Sequence, residues 1–251
     1  MRFFFEIAYN GSAYHGWQKQ KNAISLQELI SQKIQQFFND PKLEIVGCGR
    51  TDAGVHARQF FFHIDLNKLE LSTAIFHLNN MLPRDIAILS IHQVGDQCHA
   101  RFDATSRTYR YYIHTQKNPF LNACSLQVKK DLDLMAMNKA CSYFLGEHDF
   151  TSFSKLHTDV KTNLCTVTSI GWSRVSDQLV FEISANRFLR NMVRAIVGTM
   201  LEVGSQKILP EKLATIIKAQ DRNVAGYSVA ANGLFLEKVV YPFIQIDASL
   251  K

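Results

Sequence analysis

The sequence predicts an α+β fold made of two similar α/β halves. Three observations predict it. Short runs rich in aromatic and β-branched residues alternate with stretches whose apolar residues recur at helical spacing, that rhythm is repeated along the 251 residues, and no low-complexity segment or long linker separates the two passages. Without a linker the halves are expected to pack together around a cleft, a natural place for a binding site. The boundary is expected between Ala100 and Ser106, giving an N-terminal half over residues 1–104 and a C-terminal half over 105–251.

Phe3 to Tyr9 reads as a core strand that stops at the turn chemistry of Asn10-Gly11-Ser12. Ser25 followed by Glu28 forms a capping box. Leu26, Leu29, Ile30, Ile34 and Phe37 then recur at helical spacing until Asn39-Asp40-Pro41 ends the run. Strands are predicted over Leu43 to Cys48 and Gln59 to Asp65, flanking a glycine-rich connection, then a helix from Ser72 to Met81 and a strand from Ile86 to His92. The second half repeats the pattern: a strand from Arg107 to Thr115, a helix from Asp131 to Leu145, strands from Cys165 to Arg174 and Gln178 to Ala185, and a helix from Phe188 to Val203. A short helix opening at Pro210 and a strand from Leu234 to Tyr241 complete it.

With 47% hydrophobic residues the chain has ample material for a core, which excludes a disordered or fibrous protein. Lys and Arg number 28 against 22 Asp and Glu, a net charge of +6 that suits a polyanionic partner. The five cysteines are odd in number and form no Cys-x-x-Cys pair, which fits reduced thiols in a cytosol. Met1 to Tyr9 is apolar too briefly for a signal peptide, and no stretch approaches the roughly 18 uninterrupted apolar residues of a membrane span. A soluble, cytoplasmic protein is the expectation.

The chemistry-bearing candidate is Gly47-Cys48-Gly49-Arg50-Thr51-Asp52-Ala53-Gly54-Val55-His56-Ala57, set between two strands where the backbone must bend sharply. Taken alone, an aspartate in such a loop is equally an ordinary turn residue bonded to its own backbone. It is not a phosphate loop, because no Gly-Lys-Ser or Gly-Lys-Thr follows. Nine histidines are present, yet no His-x-x-x-His or Cys-x-x-Cys spacing occurs, so no metal is expected. Lys19, Lys21, Arg58, Arg84, Arg101, Arg107, Arg110, Arg187 and Arg190 form a basic scatter suited to phosphates or to solvated faces.

Gly-Arg-Thr-Asp-Ala-Gly-Val-His-Ala resembles the active-site signature of the tRNA pseudouridine synthase A (TruA) family. Five further segments resemble that family in order: Tyr9 to Ser12 with Tyr14 to Gln18, Ala100 to Ala104, Arg107 to Tyr111, Gly146 to Phe153, and Asn191 to Gly198. The resemblance implies the pseudouridine synthase fold, in which each half is a mainly antiparallel sheet with helices on one face and the halves surround a central basic cleft. It implies an isomerase that breaks the uridine N1–C1′ bond, turns the base and rejoins it through C5, without cofactor or metal. Residue by residue, Asp52 is similar to the family's catalytic carboxylate and Arg194 to the arginine that pairs with it, keeping it ionised. Tyr109 is similar to the tyrosine that stacks on the extruded base, and Arg50 to the arginine that fills the vacated space. His56 is expected to support the loop.

The resemblance also implies a homodimer acting on the anticodon stem-loop of transfer RNA at positions 38, 39 and 40. The chain departs from the family at Val229-Ala230-Ala231-Asn232-Gly233-Leu234, where relatives commonly carry Ala-Pro-Ala, and after Asp159, where an Arg-Thr pair is common. Two alternatives stand beside the synthase: a non-catalytic RNA-binding protein on the same scaffold, and a base-flipping glycosylase or hydrolase using Asp52 with a second carboxylate.

Overall fold

Triple phenylalanine runs in two of the first strands set the architecture of the N-terminal part. The computed structural model describes residues 1–67, 70–155 and 161–244, so Asp159 and Val160, where the second departure begins, lie outside the described residues. The elements in order are β1 (Arg2–Tyr9), α1 (Leu26–Phe38), β2 (Val46–Gly47), β3 (His56–Asp65), α2 (Leu71–Met81) and β4 (Ile86–Val94). Then come β5 (Ser106–His114), β6 (Leu126–Gln127), α3 (Leu134–Cys141), β7 (Gly146–Asp149), β8 (Leu164–Val175), β9 (Gln178–Ala185), α4 (Met192–Gly204), α5 (Lys212–Ala219) and β10 (Leu234–Val240). Two compact units result: Met1–Ser106 with the chain from Leu236 onward, and Arg107–Phe235.

In the first unit the strand order is β4-β1-β3-β10, with β2 also on β3. The β1–β3, β1–β4 and β2–β3 pairs are antiparallel. β1 is buried on both faces, so its apolar residues form a continuous run where a half-exposed strand would alternate. Phe5 faces Phe62 across the β1–β3 ladder, and their rings stack with centroids 4.9 Å apart. On α1 the capping box forms as predicted at its Ser25 end, with the Glu28 amide donating to Ser25 Oγ at 3.3 Å, and Leu26, Ile30 and Ile34 are buried. Asn39, at φ 50°, closes the helix in the left-handed region.

The second unit has the order β5-β9-β8-β7. Its β5–β9, β8–β9 and β7–β8 pairs are antiparallel, and the short β6 joins β5 in parallel. α4 is almost wholly buried. The result is the predicted α+β class with mainly antiparallel pairing.

Several boundaries differ from the sequence reading. The strand expected over Leu43 to Cys48 shrinks to Val46–Gly47, because Gln35 and Gln27 of α1 donate to the Leu43 and Ile45 carbonyls at 2.9 and 3.2 Å and hold that stretch along the helix. β3 begins at His56, inside the glycine-rich motif. The helix expected from Asp131 starts at Leu134, since Asp133 Oδ1 accepts from the Ala136 amide at 2.9 Å and acts as the cap. The helix expected from Phe188 starts at Met192, because Asn191 sits at φ 69°. Two short strands, β6 and β7, were not predicted; runs of two and four residues carry no readable period.

Candidate active site

Asp52 stands on the loop between β2 and β3, and that loop is held by the opening segment that follows β1. Four contacts do this: the Gly11 amide donates to His56 Nδ1 (3.1 Å), the Gly54 amide to the Tyr14 carbonyl (3.2 Å), the Trp17 amide to the Thr51 carbonyl (3.1 Å), and the hydroxyls of Tyr9 and Thr51 meet at 2.9 Å. The Val55 amide donates to the Asp52 carbonyl at 3.2 Å, closing the turn. The backbone is therefore fixed at positions 51, 52, 54 and 55, and the His56 ring ties the end of the loop to Gly11. Asp52 is half-buried and Arg50 is exposed.

Close approach of the two segments requires a residue without a side chain at Gly11, where a Cβ would be driven into the Val55 carbonyl oxygen. His56 is buried, and as an acceptor at Nδ1 it is the neutral tautomer carrying its proton on Nε2. The opening segment is itself anchored on Asp85: Asn10 donates its amide to the Asp85 carbonyl at 2.8 Å, and the Tyr14 hydroxyl donates to Asp85 Oδ1 at 2.7 Å. Burial, helped by that carboxylate, pushes the Tyr14 phenol far up, so it stays protonated and donating.

Ala100 to Ala104 belongs to the same unit. His63 Nδ1 accepts from the Ala100 amide at 3.1 Å, and the Tyr241 hydroxyl donates to the Ala100 carbonyl. Burial, with Arg2 nearby, lowers the His63 pKa to about 4, so it too is a neutral acceptor.

Tyr109 and Arg194 belong to the second unit. Tyr109, on β5, is half-buried with its ring edge-to-face against Phe188, centroids 5.0 Å apart. Tyr111 lies on the same face of β5 and is fully buried, its hydroxyl donating to the Ala230 carbonyl at 2.7 Å. Tyr112, on the opposite face, packs against Phe235. Arg194 is half-buried on α4; its Nε donates to the Val229 carbonyl at 2.7 Å, and the Val229 amide donates back to the Arg194 carbonyl at 3.2 Å. Burial pushes the Tyr111 phenol far up, with the Arg194 cation partly opposing it.

Arg222 was not singled out from the sequence, and no motif marks it. Its guanidinium donates to the carbonyls of Ala225 (3.3 Å) and Gly226 (3.0 Å) and to Ser228 Oγ (3.0 Å). Within the basic scatter, Arg58 and Arg110 form ion pairs with Glu237 and Glu182 at 3.2 and 2.6 Å. Among the described residues no three His, Cys, Asp or Glu side chains are grouped to hold a metal ion, and no helix is long and apolar enough to cross a membrane.

Comparison with known proteins defines the class. A family profile described as tRNA pseudouridine synthase matches residues 7–103 and 140–242, taking in the Asp52 loop and Arg194. The chain is 49% identical over 246 residues to tRNA pseudouridine synthase A of Porphyromonas gingivalis, covering 96% of this chain and 97% of that protein. It is 47% identical over 244 residues to the protein of the same name from Parabacteroides distasonis, covering 96% of each. It is also 47% identical over 245 residues to that of Bacteroides thetaiotaomicron, covering 96% of this chain and 91% of its relative. The class is that of the pseudouridine synthases, enzymes that isomerise a nucleoside in RNA. Within it, the chain belongs to the tRNA pseudouridine synthase family.

Proposed function

We propose that this chain converts uridine to pseudouridine at positions 38, 39 and 40 of the anticodon stem-loop of transfer RNA, with Asp52 as the catalytic carboxylate. The observation that carries the reading is the Asp52 loop itself. Its backbone is held by Tyr14 and Trp17 and its His56 ring by Gly11 while the aspartate remains half-exposed, as a preorganised catalytic group requires.

The reaction is an isomerisation: the N1–C1′ bond breaks, the base turns, the C5–C1′ bond forms, C5 loses a proton and N1 gains one. Asp52 acts at the sugar and base. Tyr109, packed perpendicular to Phe188, offers an aromatic face to the extruded pyrimidine. Arg50, exposed beside the aspartate, takes the place of the flipped nucleotide. Arg194 supplies the cation that keeps the carboxylate ionised once the base excludes water. Its Nε engages the Val229 carbonyl. Residues 1–104 thus bring the carboxylate and residues 105–251 the stacking and cationic partners. The working form is a cytoplasmic homodimer, and no cofactor or metal takes part.

Release of tritium from transfer RNA labelled at uridine C5 tests the reading. The parent should release it with no added cofactor, and Asp52→Asn should not. Activity surviving in Asp52→Asn would sink the assignment. Free uracil as product would point to a glycosylase, and binding without release to a non-catalytic RNA-binding protein.

A further inference from the structure

The aim of Arg194 depends on the segment from Ala225 to Val229, which lies outside the motif that carries it. Its Nε donates to the Val229 carbonyl, so the direction of the guanidinium follows the tilt of the peptide after Val229. That peptide closes the segment from Ala225 to Val229. The Gly226 amide donates to Thr199 Oγ1 at 2.9 Å, and Thr199 donates to the Ala195 carbonyl at 2.8 Å, which sets the distance of the segment from α4. Its rotation is set from the other side, where Arg222 grips two carbonyls and the Ser228 hydroxyl. Asn191, the residue that starts α4, donates to the same Ser228 oxygen at 2.5 Å.

Arg222 is fixed in turn. The preceding Asp221 amide donates to Ser152 Oγ at 3.1 Å, and the buried Ser152 donates to the Ile216 carbonyl of α5 at 2.6 Å. Asp221 Oδ1 caps the following turn through the Asn223 amide at 2.9 Å. A planar fork with several donors, set on an anchored turn, holds three acceptors in one geometry, which a lysine could not do.

We propose that Arg222 is a positioning residue for the isomerisation, acting through Ala225, Gly226 and Ser228 on the Val229 carbonyl and hence on Arg194. This rests on the role given above to Arg194.

The test combines Arg222→Lys, Arg222→Ala and Ser228→Ala with Arg194→Ala. It reads the single-turnover rate of C5 tritium release, the transfer RNA affinity with its salt dependence, and the melting temperature. The Arg222 variants should slow release by about 10- to 100-fold, the range produced by misplacing a catalytic group from a distance, and Ser228→Ala should slow it less. Affinity and its salt slope should stay those of the parent, because an arginine bonded to the chain's own carbonyls neutralises no phosphate. Adding Arg222→Ala to Arg194→Ala should produce no further loss. Additive loss in that double variant, or a salt slope lower by about one, would overturn the inference and make Arg222 an independent RNA contact. Parental activity in Arg194→Ala would instead overturn the role of Arg194 itself. Should Arg222→Ala fail to fold, Arg222→Lys and Ser228→Ala carry the same comparison.

Discussion

Tyr9→Phe is the sharpest probe of the Asp52 loop, because it deletes one oxygen and leaves the ring in place. Tyr9 and Thr51 are 4% and 8% exposed, and their hydroxyls meet at 2.9 Å. Removing one buried partner forfeits a bond of net worth about 1 kcal/mol and leaves the other hydroxyl unsatisfied, so the expected destabilisation is about 1–3 kcal/mol. Part of that should appear in the rate, since Thr51 adjoins Asp52 and each 1.36 kcal/mol of lost transition-state stabilisation is about tenfold. Chemical denaturation gives the stability, and tritium release under single turnover gives the rate. Hydrogen exchange at the Trp17 amide, bonded to the Thr51 carbonyl, reports the loop locally and should accelerate. Thr51→Val removes the other oxygen, and the double variant should cost less than the sum of the singles by about 0.5–3 kcal/mol. Strict additivity would refute the reasoning: the two hydroxyls would then not stabilise one another, and the loop would owe its shape to the backbone bonds alone.

Two further outcomes follow from the same structure. Glu6 is buried, which by itself would raise its pKa, but the His92 ring 3.9 Å away and hydrogen bonds donated by Ser90 and Gln59 overcome this and hold the carboxyl at about 2. Against an ordinary value of 4.5 this carboxylate contributes stability that is fully present above about pH 4.5 and lost as pH falls toward 2; at about 1.36 kcal/mol per pH unit it amounts to about 3 kcal/mol. Denaturant melts between pH 6 and pH 3 should show the parent losing about 2 kcal/mol of this contribution and Glu6→Gln lacking it, and parallel curves would contradict the assignment. Ala230→Pro should raise stability by about 0.4–1 kcal/mol, because φ at Ala230 is −56°, within the proline range, and its carbonyl would still accept from Tyr111. A lower melting temperature would mean that the Ala230 amide is needed.

Element type was legible wherever a segment was long and its side chains repeated, as in α1, where one cap and five apolar positions define the helix. Element extent was not, because distant side chains decide it. No local pattern announces that Gln27 and Gln35 will take the carbonyls of Ile45 and Leu43, yet those two bonds shorten a strand to two residues. The helical spacing ran on through Asn191, whose left-handed conformation ends it there, and four residues of expected helix, Phe188 to Asn191, became the approach to α4. The departure at Val229 to Leu234 removes a proline that would stiffen the turn. The structure supplies other restraints there: the Val229–Arg194 backbone bond and the Tyr111 hydroxyl on Ala230.

The candidate site follows the same division. Asp52, Arg50, Tyr109 and Arg194 stood out because their segments resemble one family in order, whereas the groups that aim them are backbone amides and carbonyls with no sequence identity to read. His56 meets the amide of Gly11, and Arg194 meets the carbonyl of Val229. What such contacts do leave in the sequence is glycine, where the opposing chain comes too near for a Cβ. Gly11 against the Val55 carbonyl and Gly198 against the Tyr227 carbonyl mark the two approaches that fix Asp52 and Arg194. The glycines of the opening segment and of α4 therefore shape the backbone that carries Asp52 and Arg194. A substitution at either would act on rate through a backbone shift, with no functional side chain removed.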